Sequence, residues 1–69
     1  MSDYIKINLD YLLLTRNMSL TELSAKTGIS MANLSNLKRG KGKAIRFSTL
    51  LVICNVLACT PGDLISLGE

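Results

Sequence analysis

Two short segments with matching start and stop signals constrain this chain most strongly. The first begins at Ser19, whose hydroxyl can accept a backbone N–H, while Glu22 is placed to return one. It ends at Gly28, because a glycine in the left-handed conformation closes a helix. Ser30 starts a second segment in the same way, and Gly40 ends it. The pattern predicts two helices joined by a tight turn.

The apolar positions give each of these helices one buried face. Leu20 and Leu23 repeat at helical spacing in the first, and Leu34 and Leu37 do so in the second. Two helices joined by a short turn that contains glycine form a helix-turn-helix motif, which here covers about residues 19–39.

Three stretches in and around this motif carry a resemblance to a known family. They are Met18-Ser19-Leu20-Thr21-Glu22-Leu23, Thr27-Gly28-Ile29-Ser30, and Leu37 followed by Gly40. The chain resembles the Cro and phage-repressor (XRE) family over roughly residues 9–67. The resemblance implies an all-α fold, a compact five-helix lambda-repressor-like DNA-binding domain that reads operator DNA with its third helix.

Capping signals place the remaining helices. The five helices are expected at about 9–16, 19–27, 30–39, 47–58 and 61–67. Asn8 is the expected cap of the first helix, and Thr60 with Pro61 is a strong start for the fifth. Residues 4–7 alternate loosely and predict a short N-terminal strand or arm, which needs a partner such as the same segment of a second chain. A frayed terminus is the other interpretation.

Length and composition exclude several classes of protein. Sixty-nine residues predict one domain, 1–69, with no second domain for sensing a ligand. No transmembrane run and no signal peptide are present, so we expect a cytoplasmic protein without a membrane partner. The chain has no histidine and only five scattered carboxylate residues, which argues against an enzyme. Its two cysteines cannot form a zinc site alone, and we expect no metal, cofactor or small-molecule effector.

Positive charge concentrates just after the second helix of the motif. The net charge is +3, five of the eight Lys and Arg fall within residues 38–46, and no acidic residue lies between Glu22 and Asp63. A field of one sign favours a polyanion, here double-stranded DNA. A solvated loop without a partner is the plainer alternative.

Four side chains of the third helix are expected to face base edges: Met31, Ala32, Asn33 and Asn36. The resemblance supplies three of them, and Asn33 is a neighbouring candidate. Asn36 can bond N6 and N7 of adenine together, whereas Ala32 and Met31 offer only apolar contact to a thymine methyl group. Solvent-facing amides, and packing of Met31 against the turn, are the alternatives.

Five side chains are expected to contact phosphate or the minor groove: Ser30, Lys38, Lys41, Lys43 and Arg46. The resemblance implies that Arg46 enters a narrow minor groove at the operator centre. Where the family often pairs an arginine with a glutamate, this chain has Leu13 and Lys38. Lys38 is therefore expected to be free to face phosphate.

The fourth helix is apolar nearly all round. Its expected core stripe is Leu50, Ile53, Cys54 and Leu57. Three further residues lie outside that stripe: Leu51, Val52 and Val56. Since the fifth helix is too short to cover all three, a second subunit is the simplest cover, which predicts a symmetric homodimer. Burial of the three within one chain is the alternative.

These features favour a small transcriptional regulator, more a repressor than an activator, that binds a palindromic operator as a dimer. Occlusion of a promoter is then the simplest mechanism. The alternative is a protein-interaction module, antitoxin-like or a partner of another regulator, that keeps the fold. Salt-dependent binding to one palindromic duplex would separate the two.

Overall fold

The computed structural model describes residues 4–40 and 44–68 as five helices closed by a two-stranded sheet. The helices are α1 (Leu9–Thr15), α2 (Leu20–Thr27), α3 (Met31–Lys38), α4 (Phe47–Leu57) and α5 (Pro61–Leu64). The strands are β1 (Ile5–Ile7) and β2 (Ile65–Leu67), which pair antiparallel. The first four predicted helices are confirmed to within one residue at each end.

The core is aliphatic and draws on all five helices. Its buried side chains are Leu9, Leu12, Leu13, Leu23, Leu34, Ile53, Cys54, Leu57 and Leu64. Three of the four residues in the predicted stripe of α4 are among them, and Leu50 is half-buried against the cluster. Burial of each leucine or isoleucine contributes roughly 1.5–3 kcal/mol, so the relative placement of the helices is set mainly by this cluster.

The predicted fifth helix, 61–67, is wrong beyond Leu64. Ile65 leaves the helix with φ −122° and ψ 129°, and the chain continues as β2. The Asn8 N–H donates to the Leu64 carbonyl at 2.7 Å, and the Gly68 N–H donates to the Tyr4 carbonyl at 2.9 Å, so bonds beyond both strand ends extend the ladder. The all-α class is therefore too narrow.

The N-terminal segment is a strand, and its partner lies in the same chain. Ile5 stands opposite Leu67 and Ile7 opposite Ile65. The expected pairing with a second chain and the frayed terminus are both wrong for β1. A helix-terminating residue such as Ile65, which is β-branched, fits a pleated strand better than a last helical turn.

Two of the expected caps differ in detail. Asn8 makes no cap bond to α1. Its Nδ2 donates instead to the Asp63 carbonyl at 3.2 Å and to Ser66 Oγ at 3.1 Å, which ties α1 to α5 and β2. Ser19 Oγ accepts the Glu22 N–H at 3.0 Å as predicted, but the Glu22 carboxylate pairs with Lys26 at 3.4 Å.

Candidate nucleic-acid interface

Hydrogen bonds from α2 hold the turn that precedes α3. Gly28 takes the left-handed conformation, with φ 76°, and its N–H donates to the Ser24 carbonyl at 2.9 Å. Thr27 Oγ1 donates to the Leu23 carbonyl at 2.7 Å and accepts the Ile29 N–H at 3.2 Å. These bonds fix the direction in which the chain enters α3.

The third helix buries one side and exposes the other. Ser30 begins it, with its Oγ accepting the Asn33 N–H at 3.1 Å. Leu34 is fully buried and Leu37 packs against the core. All four residues predicted to read bases are exposed: Met31, Ala32, Asn33 and Asn36. Met31 is 42% exposed, so only part of its side chain is covered by the protein.

An open concave surface, which encloses a volume of about 750 Å³, lies between α3 and the start of α4. Four of the predicted contact residues line it: Ser30, Asn33, Asn36 and Arg46. Arg46 is exposed, and no carboxylate of the described residues pairs with it. Met31 and Ala32 belong to α3 but not to this lining, and Lys41 and Lys43 lie outside the described residues.

Lys38, expected to be free for phosphate, has a partner. Its Nζ lies 3.3 Å from Oδ1 of Asp10, in the first turn of α1. The pair is partly solvent-exposed, with 37% of the lysine side chain and 72% of the aspartate side chain accessible. Because the two residues are 28 positions apart in the sequence, they meet only when α1 and α3 have packed against each other.

Arg39 was not among the predicted contacts, yet its side chain is ordered along α3. Its Nη2 donates to Ser35 Oγ at 2.8 Å. Arg39 is exposed, and Ser35 is half-buried. The spacing of four residues on one helix is the signal that could have identified this pair.

Exposed apolar side chains gather near the start of α4. Phe47 is 87% exposed and Leu51, one turn later, is 62% exposed. Val52 and Val56 are half-buried and pack against the core of their own chain. The two valines are thus covered in part by their own chain, whereas Leu51 is largely uncovered. Their place in a dimer contact stays a prediction.

Three titratable side chains at the end of α4 and around α5 have structural roles: Cys54, Cys59 and Asp63. Cys54 and Cys59 are free thiols. Burial, together with a hydrogen bond to Cys54, raises the pKa of Cys59 to about 11, so this thiol is protonated at neutral pH. Hydrogen bonds from the Thr60 N–H and hydroxyl lower the pKa of Asp63, whose carboxylate caps α5. Within residues 4–40 and 44–68, no three Cys, Asp or Glu side chains converge on a metal site.

None of the helices in the described ranges combines the length and the apolar composition that crossing a membrane requires.

Comparisons with known proteins agree with the geometry of α2 and α3. Residues 8–68 match the family model of the Cro/C1-type HTH DNA-binding domain. A Bacillus subtilis (strain 168) protein named "Uncharacterized HTH-type transcriptional regulator YozG" is 61% identical over 61 residues, which cover 88% of this chain and 73% of that protein. The crystal structure of the transcriptional regulator VanUg (form II) matches with a TM-score of 0.79 at 28% identity, covering 100% of this chain and 91% of VanUg.

Proposed function

Because the chain belongs to the Cro/C1-type helix-turn-helix family of DNA-binding domains, we propose that it represses transcription as a symmetric dimer bound to a palindromic operator. The family is one of transcriptional regulators that bind double-stranded DNA, and it is not a family of enzymes. In this proposal residues 1–69 act as one DNA-binding domain, with the helix-turn-helix at about 19–39. The bound dimer blocks a promoter by occupying it.

One observation carries the proposal: the exposed side of α3 opens onto a concave surface that Arg46 also lines, and no carboxylate among residues 4–40 and 44–68 pairs with this arginine. The major groove of B-DNA, about 12 Å wide, admits an α-helix. Asn36 can then bond N6 and N7 of an adenine, with Asn33 beside it, and Met31 and Ala32 can contact thymine methyl groups. Arg46 lines the same concave surface, where it can meet the backbone or the minor groove.

Phosphate contacts are proposed at both ends of α3. Ser30 stands at the N-terminus of this helix, where unpaired N–H groups and the helix dipole favour an anion. Lys41 and Lys43 follow its C-terminus and supply two further cations. Lys38 can join them only by exchanging Asp10 for a phosphate, so its contribution to DNA binding is reduced by that ion pair.

Selection of bound duplexes from a random pool tests the proposal, followed by affinity measurements at several salt concentrations. Asn36→Ala should weaken binding to the selected site by about 1–3 kcal/mol and relax the choice at one position in each half-site. Asn55→Ala, which truncates an exposed asparagine on α4, should leave the preferred bases unchanged. Equal loss on selected and random duplexes would limit Asn36 to a structural or phosphate role.

The loop cations are tested by the salt dependence itself. Each neutralised phosphate contributes about −0.9 to the slope of log affinity against log salt concentration. Replacing Lys41 and Lys43 together with alanine should flatten the slope by roughly 1 to 2 units and weaken all duplexes alike. A slope that does not change would remove both lysines from the DNA interface.

The dimer contact is proposed on α4, centred on Leu51. This leucine is 62% exposed and lies one turn from Phe47, which is 87% exposed. The half-buried Val52 and Val56 of the same helix are the other residues proposed for the contact. In a two-fold symmetric contact the same patch meets itself, so each apolar residue is covered by its counterpart in the second copy. Two recognition helices must also stand about 34 Å apart to enter successive major grooves.

Light scattering at micromolar protein concentration, with and without the selected duplex, tests this contact. Leu51→Glu should shift the protein towards monomer and make binding to the palindrome weaker and more dependent on protein concentration. Leu14→Glu is a matched control, because Leu14 is a 79% exposed leucine on α1. Val56→Glu is a weaker test, since Val56 also packs on the core of its own chain. A wild-type protein that remains monomeric on its palindrome would exclude the dimer.

A second candidate function draws on another exposed apolar pair. Tyr11 and Leu14, 65% and 79% exposed, lie three residues apart on α1. Such a pair supports a domain that acts by binding another protein, the antitoxin-like alternative. Under that function duplex binding would show no sequence preference. Leu14→Glu would abolish complex formation with the partner, and Asn36→Ala would not affect that complex.

A further inference from the structure

The side of α3 that points away from the core includes Arg39. At about 100° per residue, Arg39 and Ala32 lie within about 20° of each other around the helix, and Asn36 lies about 60° from Arg39. Leu34 and Leu37, which pack on the core, are on the opposite side. Arg39 is the C-cap of α3, and its N–H donates to the Ser35 carbonyl at 3.1 Å, so the helical spacing extends to it.

The Arg39 guanidinium is oriented by its own helix. One N–H of Nη2 is directed to Ser35 Oγ at 2.8 Å, which turns the side chain back along the exposed surface of α3. Among residues 4–40 and 44–68 no carboxylate pairs with Arg39, in contrast to Lys38 and its contact with Asp10. A guanidinium has five donors in a fixed fork, so four of them remain available.

We propose that Arg39, held in place by Ser35, reads a guanine in the major groove next to the base pair that Asn36 contacts. Arginine binds O6 and N7 of guanine together, which is the commonest specific contact to that base. Residues three apart on a helix are separated by about 4.5 Å along its axis, and successive bases by about 3.4 Å. Asn36 and Arg39 therefore reach base pairs one or two steps apart, and each half-site contains an adenine and a guanine at that distance.

This inference rests on the proposed function, because it requires that α3 enters the major groove. Its test starts from duplexes selected by the wild-type protein from a random pool. We expect a preferred guanine one or two base pairs from the position that Asn36→Ala relaxes. Exchange of that guanine for adenine should weaken wild-type binding roughly 5- to 150-fold.

Three variants assign the contact. Arg39→Lys keeps the charge but not the fork, so it should weaken the guanine preference without abolishing it, while the salt dependence stays the same. Arg39→Ala should lose the guanine preference altogether, because alanine has no donor for O6 or N7. Ser35→Ala should retain the preference in weakened form, since the guanidinium is no longer held. Circular dichroism of each variant verifies that the fold is intact.

A modified base gives a readout that a structural role would not affect. Replacing the selected guanine with 7-deazaguanine removes N7 and leaves base pairing unchanged. Wild-type binding should weaken, and Arg39→Ala should be insensitive to the replacement. If Arg39→Ala selects the wild-type sequence, Arg39 does not read the guanine and the inference is overturned, while the proposed function stands. If the wild-type protein selects no sequence, both are overturned.

Discussion

Replacing Arg16 with alanine should destabilise the protein far more than an exposed arginine usually does. Arg16 follows the last turn of α1, and its guanidinium reaches the end of α4. Nε donates to the Leu57 carbonyl at 2.7 Å and Nη2 to the Ala58 carbonyl at 3.2 Å. The Leu57 carbonyl lies in the last turn of α4 and the Ala58 carbonyl at its C-cap. No N–H group of the helix follows them, so neither carbonyl has an intrahelical partner.

The magnitude follows from the two bonds. The short bond to Leu57 is partly buried and involves a charged donor, for which about 1.5–3 kcal/mol is typical. The bond to Ala58 is exposed and longer, so water can replace it at little cost. A cation at a helix C-terminus adds about 0.3–1 kcal/mol, part of which these bonds already include. Arg16→Ala should therefore cost about 2 kcal/mol of unfolding free energy.

Urea unfolding followed by circular dichroism measures this loss, and thermal unfolding should show a fall in Tm of about 8–16 °C. Arg16→Lys keeps the charge but carries all its donors on one nitrogen, which cannot span both carbonyls as the fork does. Its loss of unfolding free energy should therefore be about half of that for Arg16→Ala. Lys26→Ala is the control, because its ion pair with Glu22 is exposed at both ends and should contribute at most about 0.5 kcal/mol. If Arg16→Ala costs no more than this control, water replaces the arginine without penalty and the reasoning is refuted.

Four further predictions concern three single residues. Asp10→Asn should release Lys38 and steepen the salt slope of DNA binding by up to about 0.9, as measured by fluorescence anisotropy; an unchanged slope would mean that Lys38 stays away from phosphate. Ala58→Gly should raise the unfolding free energy by about 0.5–1 kcal/mol, because Ala58 has φ 52°, which favours glycine; a lower Tm would contradict this. Cys59, with a pKa of about 11 instead of 9.0, should react with iodoacetamide at pH 9 about fifty-fold more slowly than free cysteine. Because its folded pKa is raised, its contribution to stability is present below pH 9 and lost as the pH rises through about 11, which unfolding free energies measured across this range would show.

The helix-turn-helix could be predicted because its signals are local. Ser19, Gly28 and Ser30 act on backbone groups within four residues, and the structure uses each of them as expected. The start of α5 was predicted from Thr60 for the same reason. The end of α5 was not, because Ile65 becomes a strand only through pairing with a segment near the other end of the sequence.

In the candidate interface, too, local sequence patterns predict some features, whereas others depend on how the helices pack. The exposure of Asn36 and its neighbours follows from helical spacing, which places Leu34 on the opposite side. The pairing of Lys38 with Asp10 depends on how α1 and α3 pack, and no periodicity in either helix contains that information. The bond from Arg39 to Ser35 lies within one helix, so the sequence spacing alone is enough to predict it.

The small sheet has a consequence for the order of folding. Pairing β1 with β2 closes a loop that contains every helix, residues 8–64, and the entropy of closing a chain of that length is roughly 3–4 kcal/mol before any contact compensates for it. Contacts between neighbouring helices such as α2 and α3 need no such closure and should form first. The strand pair should therefore form last. A short linker that joins residues 4 and 68 would make β1 and β2 neighbours along the chain, so the pair should form faster while α2 and α3 stay unchanged.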